Sequence, residues 1–124
     1  MPIGVDIIET NYPGGSIIGI DMDHATNDVQ YNLPDPSGSA GLRYTFIVNK
    51  NAGDGVTFRL SIPSAGNLAG MAVCGDGNEP ILGTYFDIAA GKTFKGTRIE
   101  TIADGTIWSI TAFCSASKTD VSST

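Results

Sequence analysis

Charge is scarce in this sequence: Asp, Glu, Lys and Arg together make up 16% of its 124 residues, against roughly a quarter in an average soluble domain. What charge there is leans acidic, with 13 Asp and Glu against seven Lys and Arg and a formal net charge of −6. The basic residues are scattered, which argues against a nucleic-acid backbone or an anionic membrane as partner, because both reward concentrated Lys and Arg. Long apolar runs are missing too, and no stretch approaches the ~20 residues of a membrane-spanning helix. The opening residues, MPIGVDIIET, lack the basic region of a secretory signal and carry acids within their apolar run, so synthesis and folding in a cytoplasm are expected. Cysteine is limited to Cys74 and Cys114. An even count permits a disulfide only where the two Cα atoms are close, and the preferred reading is a pair of reduced, buried thiols packing as small hydrophobes. There is a single histidine, His24, so any His-assisted chemistry would depend on it alone.

Helical periodicity is also lacking, whereas turn residues and two-residue alternation are plentiful, with 16 glycines and six prolines. Residues 98–114, RIETIADGTIWSITAFC, place Asp104-Gly105 between two alternating runs, a strong hairpin signal because Gly adopts positive φ without Cβ strain. On the second arm Trp108, Ile110, Ala112 and Cys114 share a face. Trp108 is the only tryptophan, so the core is expected to form around it, with an acceptor for its indole N–H. Residues 42–49 turn Leu42, Tyr44, Phe46 and Val48 inward, and residues 56–62 do the same with Val56, Phe58, Leu60 and Ile62. The intervening Asn51-Ala52-Gly53-Asp54-Gly55 predicts that these two strands pair as a second hairpin.

Further strands are expected at residues 29–33, closed by Pro34-Asp35-Pro36-Ser37-Gly38, and at residues 81–88. Residues 68–74 fit either a strand or an irregular loop, with Gly70 suited to close approach of another backbone. Pro13-Gly14-Gly15 separates two apolar runs, 5–8 and 17–20, read as two short strands or as a strand preceded by an extended arm. The final SASKTDVSST is small and polar and predicts a mobile tail. The division is therefore 1–20 as N-terminal arm or first strands, 21–114 as the sandwich domain and 115–124 as a flexible tail. About eight short antiparallel strands separated by turns predict an all-β fold, a jelly-roll-like β-sandwich, with Tyr44, Phe46, Phe58, Leu60, Trp108 and Ile110 in its core.

Constellations that could carry chemistry are few. Asp21, Asp23, His24 and Asp28 form one cluster, but an EF-hand wants a glycine at its sixth position, where Thr26 stands. A solvated acidic loop is the preferred reading, with an irregular calcium site as the alternative. Cys74 has Asp76 and Glu79 as its nearest charges, which raise a thiol's pKa and favour a structural role. Tyr12, Tyr31, Tyr44, Tyr85 and Trp108 could form a sugar-stacking platform, although Tyr44 and Trp108 fall in phase with buried aliphatic residues. No catalytic, cofactor-binding or metal-ligating set is assigned, and no cofactor is expected. An enzyme would require a catalytic role for His24.

Leu33-Pro34, then Gly41-Leu42-Arg43-Tyr44-Thr45-Phe46-Ile47-Val48, a strand containing Thr57, and finally Asp104-Gly105-Thr106-Ile107-Trp108-Ser109-Ile110 carry a resemblance. The succession is similar to the small capsid decoration, or cement, proteins of tailed bacteriophages, and it covers roughly residues 29–114. The resemblance implies a non-enzymatic homotrimer on the outer capsid surface of a virion, made in the host cytoplasm and clamping neighbouring major capsid proteins. Partners would then be the major capsid protein and the chain itself. The N-terminal segment would supply the contact through Val5, Ile7, Ile8, Tyr12, Ile17, Ile18 and Ile20. Two other readings stand beside it, a receptor- or glycan-binding module of a tail fibre or spike, and a head-completion or tail protein.

Overall fold

The computed structural model describes residues 5–7, 11–24, 28–62 and 67–124. Alternating apolar residues with turn-forming breaks between them produce eleven strands in this part of the chain, and two sheets packed face to face bury the apolar side of each. The strands are β1 (Val5–Asp6), β2 (Ile17–Asp21), β3 (Val29–Asn32), β4 (Arg43–Lys50), β5 (Phe58–Ser61), β6 (Asn67–Cys74), β7 (Gly77–Gly83), β8 (Tyr85–Ile88), β9 (Arg98–Ala103), β10 (Ile107–Phe113) and β11 (Val121–Ser123). One sheet has the order β1-β3-β5-β8-β11, and the other has the order β2-β4-β9-β10-β6-β7. The expected all-β sandwich is present.

Its wiring differs from an antiparallel jelly roll of about eight strands. From β1 to β5 the chain alternates between the sheets, so that each strand lies beside one running the same way. Three ladders are parallel as a result, β1 with β3, β3 with β5 and β2 with β4, and a fourth parallel ladder joins β6 to β10. The same alternation overturns the expected second hairpin. The segment after β4 crosses the end of the sandwich, held there by Ala52 N–H to Thr93 O at 2.9 Å and Gly91 N–H to Val56 O at 3.0 Å. Strand β4 pairs with β9, and β5 pairs with β8. Residues 81–88 likewise do not form one strand. They break at Gly83, whose φ of 134° an L side chain rarely adopts, and the chain changes sheet there.

The core is the expected one. Tyr44, Phe46, Phe58, Leu60, Trp108 and Ile110 are all buried. Tyr31 bridges the two layers, its ring centroid 5.4 Å from Phe46 and 6.3 Å from Phe58. Trp108 finds its acceptor in the carbonyl of Pro34 at 2.7 Å, and its ring lies 6.0 Å from that of Tyr44. Tyr44 in turn donates to Tyr12 O at 2.9 Å, tying the Pro-Gly-Gly segment to the core. The expected hairpin of residues 98–114 forms, with Trp108 opposite Ala103 and Ala112 opposite Ile99.

The last ten residues are a strap rather than a mobile tail. Strand β11 pairs antiparallel with β8, placing Val121 opposite Ile88. Before it, Ser117 caps a single 3-10 turn, Lys118–Asp120, and Asp120 returns the bond to the Ser117 N–H. Asp76 clamps the same turn from the β6–β7 corner, accepting from Ser117 Oγ at 2.7 Å and Lys118 N–H at 2.8 Å. Ala116 and Val121 are buried, so two small apolar side chains and a set of local hydrogen bonds suffice to order the segment.

Candidate functional site

Most residues expected to form an N-terminal interface serve other ends. Ile7, Ile18 and Ile20 are buried in the chain's own core, and Tyr12 packs against it. Only Val5 and Ile17 remain open among the described members, Ile17 at 70% exposure. Ile8 lies outside the described residues. The correction has a plain cause: β1 and β2 form edges of the two sheets, and alternation along β2 sends Ile18 and Ile20 into the sandwich while Ile17 faces out.

The aromatic platform is also dispersed. Tyr44 and Trp108 are core residues, Tyr31 is sandwiched with Phe46 and Phe58, and the Tyr85 ring is covered by the Arg59 guanidinium at 3.8 Å. In the acidic loop, Asp28 accepts from Thr57 N–H at 3.0 Å and Asp23 lies 3.7 Å from Lys50 Nζ. The His24 side chain and residues 25–27 lie outside the described residues. Among the described residues no group of three or more His, Cys, Asp or Glu converges as a metal site.

The two cysteines are neighbours. Parallel β6 and β10 run in register to Val73 opposite Phe113, and Cys114 N–H then donates to Val73 O at 2.9 Å. Both thiols are free, and each influences the other's titration. Burial, with the neighbouring Cys74 sulfur, pushes the Cys114 thiol up to about 12. Burial and then Asp76 push Cys74 up as well.

The two outer faces differ sharply in chemistry. On the five-stranded sheet the outward residues form a polar network: Arg59 makes a bidentate pair with Asp87 at 2.7 and 2.8 Å, and Gln30, Asn32 and Asp6 are linked at 2.8 and 2.9 Å. This surface satisfies itself. The outer face of the six-stranded sheet does not. Residues directly opposite one another in a ladder share a face, so Leu82, Pro80 and Asn78 on β7 stand beside Ala69, Met71 and Val73 on β6, with Phe113 following on β10. Leu82 is 69% exposed, and Met71, Val73 and Phe113 are exposed as well.

Toward β4 this face becomes a shallow depression of about 390 Å³ lined by Arg43, Thr45, Glu100, Ser109 and Thr111 among others. Glu100 is paired with Arg98 at 3.1 Å, and Arg98 also lies over the Phe113 ring at 4.7 Å. Arg43 has no ion-pair or hydrogen-bond partner for its side chain among the described residues. Across β4, β9, β10, β6 and β7 the outward residues include two cations and a single anion, on a chain whose net charge is −6. Sequence alternation made these residues visible as an outward set on β4 and β10. What it could not show was that β6, β7, β9, β10 and β4 lie side by side, because their pairings span most of the chain.

No family model matches the chain, and no curated protein or solved structure matches it.

Proposed function

We propose that the chain is a structural virion protein of a tailed phage that decorates the outer capsid and bridges neighbouring major capsid proteins, acting as a homotrimer. The observation that carries this reading is the outer face of the six-stranded sheet. An exposed patch of Leu82, Met71, Val73 and Phe113, continuous with a hydroxyl-lined depression whose Arg43 guanidinium has no partner among the described residues, has the make-up of a protein interface: an apolar centre beside polar groups. The resemblance of residues 29–114 to capsid decoration proteins supplies the partner. The contact surface shifts from the N-terminal segment to this face, since Ile7, Ile18 and Ile20 are already used inside. A clamp of this kind stabilises the shell by mass action, because it binds assembled capsid proteins and not separated ones.

Co-sedimentation with mature capsids of the encoding phage tests the reading. The wild-type chain is expected to pellet at a fixed ratio to the major capsid protein, and the double substitution Leu82→Glu with Phe113→Glu to remain in the supernatant while staying folded. Wild-type chain that never pellets would remove the proposal. The depression itself favours a second reading, a glycan-binding module of a tail fibre or spike, in which Arg43 and the hydroxyls of Thr45, Ser109 and Thr111 hold an acidic sugar. That reading requires binding on a glycan array that Arg43→Ala abolishes.

A further inference from the structure

We propose that Cys74 and Cys114 are a disulfide-forming pair, closed by a small-molecule disulfide such as glutathione disulfide without rearrangement of the fold. The argument is geometric. Adjacent strands lie ~4.8 Å apart, inside the ~4.4–6.8 Å separation of Cα atoms that a disulfide spans. The ladder register carries through Val73 and Phe113 to the two cysteines, and the Cys114 N–H bond to Val73 O holds that register to the last residue. Ala72 and Ala112 are buried one step earlier in phase, so both cysteine side chains leave their strands on the inner face. There the Cys74 sulfur is near enough to help raise the Cys114 thiol's pKa. Small residues stand two positions either side of Cys114, Ala112 and Ala116, and Gly75 follows Cys74.

The exchange runs in two steps. Cys74, the more exposed of the pair, loses its proton and attacks one sulfur of glutathione disulfide, breaking that S–S bond and releasing one glutathione thiolate. Cys114 then loses its proton and attacks Cys74 Sγ in the mixed disulfide, expelling the second glutathione. Two protein thiols are oxidised, one glutathione disulfide is reduced to two thiols, and the two protons end on the departing thiolates. Both protein thiols have raised pKa values, so little attacking thiolate is present at neutral pH and closure by glutathione disulfide is slow there. The bond would tie β6 to β10 at the corner where Asp76 grips the strap, closing a loop of about 40 residues. Its use in a released virion rests on the reading above, but its formation does not.

The folded chain alone, incubated with glutathione disulfide at about pH 8.5, tests it. Intact mass is expected to fall by two hydrogens with no adduct, free thiols to fall from two to none, and Tm to rise by about 5–15 °C over the reduced form. Under the same treatment Cys114→Ser is expected to stop at a single glutathione adduct on Cys74. A wild-type product that retains glutathione, a chain-to-chain disulfide, or folded protein whose thiols stay free while the unfolded chain oxidises fully would each overturn the proposal. A capsid-binding failure leaves every one of these readings unchanged, so the two ideas fall separately.

Discussion

Gly70 shows how much one missing methyl group can decide. A Cβ built on it would lie 1.8 Å from Ile110 O, in the neighbouring strand of the parallel ladder, and the obstacle is backbone rather than a side chain that could swing away. Gly70→Ala is therefore expected to cost about 2–3 kcal/mol, the upper part of the range for overpacking a tight contact, read as a fall in the urea midpoint. A variant as stable as wild type would mean that β6 and β10 can separate freely. This residue was half legible. Its glycine identity and the surrounding alanines signalled close approach of a backbone, but the approaching residue, Ile110, is 40 positions away and leaves no local mark. Trp108 was more legible, because size and phase alone require burial and a donor needs an acceptor. That the acceptor would be Pro34 O was beyond reach, since a carbonyl has no sequence signature.

At the level of elements, alternation shows which side of a strand is buried and says nothing about its neighbour. Residues 42–49 and 56–62 turn the same apolar sets inward whether they pair with each other or face each other across the core, and here they do the latter. The strap was missed for a related reason: its one apolar strand residue, Val121, is too little by itself, and its clamp, Asp76, is 41 residues before Ser117. That clamp is expected to respond to acid. The Lys118 N–H, then the Ser117 hydroxyl, holds the Asp76 carboxyl below its ordinary value of 3.8. A carboxyl with a folded pKa below its unfolded one contributes stability above the unfolded value and loses it as pH falls through the folded one. Amide protection of Val121–Ser123 is therefore expected to drop below pH 3.8, and in Asp76→Asn to be reduced already at pH 7. Equal protection in wild type and variant at pH 7 would show that β11 is held by its ladder alone.

The whole molecule is two-sided in a way no single strand reveals. One sheet closes its outer face with the Arg59–Asp87 pair and the Gln30-Asn32-Asp6 chain, while the other leaves Leu82, Met71 and Phe113 open. If a trimer forms and the open face meets the shell, the trimer contact must lie elsewhere. Light scattering is then expected to give three times the chain mass for wild type and for Leu82→Glu with Phe113→Glu alike. Loss of the trimer in that double variant would place the self-contact on the open face and leave the capsid contact without a surface. The two-sidedness rests on a joint that the sheet order makes plain: among the described residues β9 pairs only with β4 and β10, and β10 only with β9 and β6, so within the larger sheet residues 98–113 join β2-β4 to β6-β7. On a ribosome, the pairs β2-β4 and β6-β7 on either side of that joint emerge first, and their facing edges wait for it. Folding of the larger sheet is thus a late, single event, slow in the manner of long-range β pairing, and a chain released short of Phe113 would carry two half-sheets with bare edges rather than a smaller version of the same domain.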